Sequence, residues 1–248
     1  MSDSATTMET MSDMKTALVT GANKGIGFAI AHRLGDAGFR IGVGARDDQR
    51  REAAVEKLRS AGVDAFGVAL DVTSDDSTTE AARFLEAEAG GLDVLVNNAG
   101  IGGSADDGAQ DPTTLDLNVL RTVLETNVYG VVRVTNAMLP LLGRSASPRI
   151  VNMSSSMGSL ALQTGPQMAA YAPSKTMLNS ITAQYARRFV DTGIIINAAC
   201  PGLVATDFTG HAGDRGPEDG AAIALRLALL PDDGPRGGFY DEDGAVPW

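Results

Sequence analysis

The chain has 248 residues, 44% hydrophobic and 21% charged, with a formal net charge of −11. This is an ordinary globular composition that excludes a fibrous or disordered chain, and the length suits one large α/β domain with no linker-like stretch to divide it. So acidic a balance excludes the basic patch that a nucleic acid or an anionic membrane would need as partner, and it means that any anionic ligand must be met by local cations.

Met1–Asp13 is polar and acidic, lacks periodicity and reads as a disordered tail, leaving 14–248 as the domain. No run approaches the roughly eighteen apolar residues of a membrane span, and the start is not basic-then-apolar, so a cytoplasmic protein is expected. The single cysteine, Cys200, lies in an apolar run and is read as a core residue. His32 and His211 match no ligand spacing and are read as surface histidines, so no metal site is expected.

From Lys15 onward, short β-rich runs alternate with stretches of helical periodicity. Strands are predicted at Thr16–Thr20, Arg40–Ala45, Ala65–Leu70, Leu92–Asn97, Arg149–Ser154 and Ile194–Ala199, with helices in the intervals. Several strands are continuously apolar, as strands covered on both faces must be. The prediction is therefore a doubly wound parallel sheet in a three-layer α/β/α arrangement, of the Rossmann kind. Right-handed crossovers then place every strand's C-terminal end on one edge. Gly21, Arg46, Asp71, Asn98, Ser155 and Pro201 each follow a strand.

After the first strand comes Thr20-Gly21-Ala22-Asn23-Lys24-Gly25-Ile26-Gly27, ahead of a helix predicted from near Phe28. Gly21 permits a tight strand-to-helix turn, Gly25 a close approach to a pyrophosphate, and Gly27 tight helix–strand packing. Asn23, Lys24 and Ile26 complete this candidate phosphate cradle. Its bland reading is a glycine-rich turn without a ligand. The second strand ends in Gly44-Ala45-Arg46-Asp47, with Ala45 where an enzyme using NAD would place an acid against the ribose. Arg46 offers a fork of donors to a 2′-phosphate and Lys24 a second charge, which favours NADPH over NADH. The competing reading makes both solvated cations, and Asp47 is an acid within reach of the ribose. Asp71-Val72, after the third strand, brackets an adenine or caps the next helix.

Asn97-Asn98-Ala99-Gly100 follows the fourth strand. Together with the glycine loop, Asn127, Ser155 and Tyr171-Ala172-Pro173-Ser174-Lys175, it resembles the short-chain dehydrogenase/reductase superfamily, over about Lys15 to Trp248. Within it, Asn23-Lys24-Gly25-Ile26-Gly27, Ala45-Arg46-Asp47 and the ending Pro247-Trp248 look most like the NADPH-dependent carbonyl reductases. The resemblance implies reduction of a carbonyl with NADPH/NADP as cofactor and a small carbonyl compound as substrate. It places Asn98, Tyr171 and Lys175 among the cofactor-binding residues.

Hydride delivery to a carbonyl leaves an alkoxide that needs a proton from a nearby acid. Tyr171 is the candidate. An unperturbed phenol titrates near ~10, so a neighbouring cation is expected to poise it, and Lys175, four residues on along a helix, lies on the same face. Lys175 can also hold the nicotinamide ribose. Ser155 could donate to the substrate oxygen; it is chosen by the family pattern N-x-S-S-x-x-G, and Ser154 and Ser156 remain open. Asn127 resembles the family asparagine that holds a water in a proton relay, or is a buried amide satisfying helix backbone. Pro201-Gly202-Leu203-Val204-Ala205-Thr206 resembles the segment that contacts the nicotinamide carboxamide through the backbone at Pro201, Gly202 and Val204 and through the Thr206 hydroxyl.

Ile101, Met157, Leu160, Met168, Leu203 and Phe208 are apolar candidates for the substrate pocket, and the glycine-rich stretch Asp207–Pro217 suggests an open, permissive site. Only Ser156–Ala170 precedes Tyr171. That leaves no long insertion, of the kind some carbonyl reductases carry there, to block packing of the helix bearing Tyr171, so a homodimer or homotetramer is expected. Two other classes fit part of the pattern. A dehydrogenase of alcohols or sugars using NAD would want an acid at Ala45, and a non-catalytic NADPH-binding regulator would have no need of Ser155, Tyr171 and Lys175 together.

Overall fold

The computed structural model describes residues 14–103, 111–162 and 167–248; the predicted tail Met1–Asp13 lies outside them. The strands are β1 (Thr16–Thr20), β2 (Arg40–Ala45), β3 (Ala65–Ala69), β4 (Val94–Asn97), β5 (Arg149–Met153), β6 (Ile195–Ala199) and β7 (Phe239–Tyr240). The helices are α1 (Gly25–Asp36), α2 (Asp48–Ser60), α3 (Asp75–Ala89), α4 (Leu117–Leu124), α5 (Gly130–Leu142), α6 (Tyr171–Arg188) and α7 (Pro217–Ala228). A π-helical segment, Glu125–Tyr129, joins α4 to α5.

All seven strands run parallel in the order β3-β2-β1-β4-β5-β6-β7. The order reverses between β1 and β4, where Ala17 pairs with Ile41 on one side and Val94 on the other. A ligand crevice is expected beyond the C-terminal ends of those two strands. Side chains alternate across the sheet. Ala17, Val19, Val94, Val96 and Val151 pack with α1, α2 and α7, while Leu18, Leu95, Ile150 and Ile196 pack with α3, α5 and α6.

The six predicted strands are present, with ends shifted by up to two residues. β7 was not foreseen, because two residues carry no periodicity. α1 begins at Gly25, three residues before Phe28, because the glycine loop itself forms the first turn. Cys200 is buried in a small cluster with Ala198, Phe239 and Val246. Among the described residues no helix is long and apolar enough to cross a membrane.

Toward the site, the alternation continues but turns polar. The Asn97 amide donates to Asn152 Oδ1 at 2.9 Å and to Thr135 Oγ1 at 3.1 Å, and the Asn152 amide donates to Thr182 Oγ1 at 2.8 Å. Ser154 Oγ donates to Asn179 Oδ1 at 2.6 Å. All six residues are buried. Buried hydrogen bonds are directional and costly to leave unmade, so this ladder fixes the register of α6 against β4 and β5 in a way that apolar contact alone would not. Tyr171 and Lys175 ride on that helix.

Candidate active site

The glycine loop leaves β1 and enters α1 without a side-chain cap. Gly21 and Gly25 adopt φ of +66° and +57°, the left-handed region that favours glycine. A Cβ on Gly27 would overlap the Gly21 carbonyl oxygen and Asn98 Nδ2. Phe28 N–H donates to Lys24 O at 3.2 Å, one turn in, so the N–H groups of Gly25, Ile26 and Gly27 lie ahead of the helical ladder, where an anion is favoured. Asn23 stands at the turn between them. A loop that only glycine can trace, opening onto a helix N-terminus, fits a dinucleotide pyrophosphate.

Asn98 and Thr20 hold this loop to β4. Asn98 Nδ2 donates to Thr20 O at 2.9 Å, while Thr20 Oγ1 accepts from the N–H groups of Asn98 at 2.9 Å and Ala99 at 3.0 Å. Thr20 opens the glycine motif in the sequence, but the role of its hydroxyl arises only because β1 and β4 are neighbours.

At the end of β2, Ala45 is buried and Arg46 exposed. Asp47 caps α2 by accepting from Arg50 N–H at 2.9 Å, so its carboxylate has a structural task. Asp71 Oδ1 accepts from the Thr73 hydroxyl at 2.7 Å and its N–H at 2.9 Å, which hold the carboxyl below its ordinary range, with Arg46 and Arg133 adding smaller effects. Ser74, not Asp71, is the cap of α3. Val72 is fixed from α5: a Cβ on Gly130 would press against it, and Arg133 Nη1 donates to its carbonyl at 2.9 Å while pairing with Asp75 and Glu125. Arg133 is a residue that sequence reading missed, a lone helical arginine with no motif around it.

Tyr171, Lys175 and Ser155 come together at the C-terminal end of β5. Tyr171 opens α6 and is buried, in hydrogen bond with Ser155. The structure separates the three serines. Ser154 is turned inward to Asn179, Ser155 faces Tyr171 and accepts from Met157 N–H at 3.2 Å, and Ser156 bonds toward Cys200. Lys175 Nζ donates to Met153 O at 2.7 Å and lies 5.5 Å from the centre of the Tyr171 ring. Burial pushes the phenol up to about 12, against the opposing pull of Ser155, and brings Lys175 down to about 8. The phenol is raised here, where the spacing had suggested lowering by Lys175; desolvation is the largest cause, and Lys175 is not among the groups that shift it. A phenol kept protonated next to a serine hydroxyl can give a proton to a developing alkoxide.

Asn127, fully buried in the π-helical segment, accepts from Ile101 N–H at 2.8 Å and donates to Ile101 O at 2.9 Å and to Ser174 Oγ at 3.0 Å. Its side chain thus pins the loop after β4 to α6. A Cβ on Gly100 would sit 3.3 Å from Asn127 Oδ1 and 3.7 Å from Lys175 Nζ, so the two side chains converge on one glycine.

Beyond β6, Pro201 and Gly202 lead into Val204, which is buried and forms a parallel bridge with Arg215. Thr206 is buried and its methyl lies 3.6 Å from where a Gly25 Cβ would be, so this segment closes onto the glycine loop. Within the stretch read as open, Asp207–Thr209 form a 3₁₀ turn that sets Phe208 5.4 Å from the Tyr171 ring. Lys24 is drawn here too: its Nζ pairs with Asp207 Oδ2 at 2.8 Å. The two cations expected to share a phosphate are therefore in different situations, Arg46 exposed and Lys24 already paired.

Residues 15–215 match the short chain dehydrogenase family. The chain is 34% identical to short-chain dehydrogenase/reductase 1 of Saponaria officinalis, over 96% of this chain and 97% of that one. It is 32% identical to carbonyl reductase (NADPH) 1 of Rattus norvegicus, over 96% and 99% respectively. The alignment with the Saponaria protein spans 296 positions, more than the 248 residues here, so that relative carries residues this chain lacks. Among solved structures, the NADPH-bound carbonyl reductase from chicken fatty liver superposes with a TM-score of 0.84 at 29% identity, covering 95% of this chain and 99% of that one.

Proposed function

The chain belongs to the short-chain dehydrogenase family, and we propose from this that it reduces carbonyl groups of aldehydes, ketones and quinones to alcohols with NADPH, Tyr171 being the general acid. The observation that carries this reading is the convergence of Tyr171, Ser155 and Lys175 on the same sheet edge as a glycine-built anion cradle.

NADPH, when bound, supplies the hydride. The N-terminus of α1 and the glycine loop would hold its pyrophosphate, Arg46 and Lys24 its 2′-phosphate, Asp71 and Val72 its adenine, and Pro201, Gly202, Val204 and Thr206 its carboxamide, with Lys175 on the ribose. Ser155 orients the substrate oxygen toward Tyr171, and the Tyr171 hydroxyl gives that oxygen its proton. Lys175, buried but charged below about 8, supports renewal of the proton from the Asn127 side. Phe208 lies against the Tyr171 ring, 5.4 Å between centroids, where it would border the substrate.

A buried phenol held protonated beside Ser155 is in the form that a general acid for carbonyl reduction needs. Ala45 and the capping task of Asp47 speak against NAD. The Carbonyl reductase (NADPH) 1 similarity points the same way. The test is oxidation of NADPH beside NADH with a panel of aldehydes, ketones and quinones. Turnover with NADPH well above that with NADH is expected, and equal rates or a preference for NADH would overturn the cofactor assignment.

We also propose that the chain pairs with a second copy through the helices around α6. The short interval before Tyr171 and the exposed apolar side chains of Leu117, Tyr129 and Met177 support it. Light scattering is expected to give a dimer or tetramer mass; a monomer mass would refute it.

A further inference from the structure

Lys24 precedes α1 in the glycine loop, and Asp207 begins the turn that carries Phe208; 183 positions apart, they meet at 2.8 Å. The other Asp207 oxygen lies 3.3 Å from His211 Nε2. Lys24 foremost, and then His211, hold the Asp207 carboxyl below its ordinary range. The pair lies on the surface, with 57% of the lysine and 60% of the aspartate side chain exposed. An exposed pair of this kind biases an equilibrium by only about two- to fivefold. A phosphate, with more charge and more acceptor oxygens, is the stronger partner for an ammonium. Arg46, in contrast, stands exposed at the end of β2, with Asp71 sensing its charge.

We infer that Asp207 is a specificity-setting residue, an internal competitor that occupies Lys24 until the 2′-phosphate of the cofactor takes the ammonium from it. This rests on the proposal that Lys24 and Arg46 receive that phosphate. The competition taxes NADPH alone, since NADH brings no 2′-phosphate and leaves the pair intact. It differs from plain repulsion by a surface carboxylate, which acts on the pyrophosphate of both nucleotides.

The experiment is titration with NADPH and with NADH, read by nicotinamide fluorescence, of the wild type, Asp207→Asn, Lys24→Met and the double variant, each checked for an intact fold by thermal unfolding. Asp207→Ser serves in place of Asp207→Asn should the latter unfold. In Asp207→Asn, the NADPH Kd is expected to fall about two- to fivefold with the NADH Kd unchanged, and in the Lys24→Met background the same substitution is expected to move neither. An NADPH Kd unchanged or raised by Asp207→Asn overturns the inference. So does an equal tightening of NADH, or an effect that survives without Lys24. Wild-type protein that binds both nucleotides equally overturns the 2′-phosphate assignment and this inference with it; a wild-type preference for NADPH that Asp207→Asn leaves untouched overturns the competition alone.

Discussion

Tyr171→Phe is expected to lower kcat for carbonyl reduction by about 10²- to 10⁴-fold, the range that a positioned acid contributes, with NADPH affinity by fluorescence changed no more than about twofold. Phenylalanine keeps the ring against Phe208 and the burial at the start of α6, so the fold and the crevice are preserved while the one donor aimed at the substrate oxygen is lost. The pH profile of the wild type gives an independent check. Burial brings Lys175 down to about 8, so its side chain is charged below that pH and neutral above it, while Tyr171, up at about 12, stays protonated throughout. For reduction, kcat/KM is therefore expected to be level near neutrality and to fall as pH rises through about 8. A rate that climbs toward the alkaline side would mean that the phenolate is the working form and that Tyr171 is not the acid. Residual turnover within tenfold of wild type in Tyr171→Phe would likewise mean that Tyr171 is not the acid.

Gly27→Ala sets two effects against each other. On helix propensity alone, alanine within the first turn of α1 should stabilise by about 1 kcal/mol. The added Cβ, however, would meet the Gly21 carbonyl oxygen and Asn98 Nδ2, neither of which is the end of a flexible chain free to swing away. The first is backbone of the strand-to-helix turn, and the second is held to Thr20 O at 2.9 Å. Forcing such a contact typically costs about 1–3 kcal/mol, so the clash outweighs the gain. The variant is expected to unfold at lower temperature and to bind NADPH at least about tenfold more weakly, because relief of the clash moves the N–H groups that would face the pyrophosphate. Thermal unfolding together with NADPH titration checks both, and a variant of unchanged affinity and raised Tm would show that the helix can move off the sheet without harm.

Much of the fold was legible because its signals are local. Apolar runs such as Leu92–Asn97 and Ile194–Ala199 announce strands covered on both faces, and the glycine loop, Asn98 and the Tyr171–Lys175 pair are contiguous motifs whose spacing carries geometry in itself. The doubly wound parallel sheet followed from them, while the reversal of strand order between β1 and β4 is visible only in the structure.

What escaped the sequence depends on residues far apart in the chain. Ser154 and Ser155 are told apart by Asn179 and Tyr171, two residues of α6 that each engage one of them. Phe208 was named from sequence as a pocket residue, but its contact with the Tyr171 ring depends on the fold. The roles of Thr20 and Arg133 exist only across neighbouring elements, and β7 is too short to show a period. The charge states of Tyr171 and Lys175 depended on burial, which moved both toward their neutral forms, where spacing alone had suggested a lysine lowering a phenol. Sequence by itself determined which residues could form strands, turns and a proton donor, because backbone preference and periodicity act over a few positions. Only the tertiary structure decided what each polar group faces, because hydrogen bonding and desolvation are set by neighbours that the chain brings together from as far apart as Lys24 and Asp207.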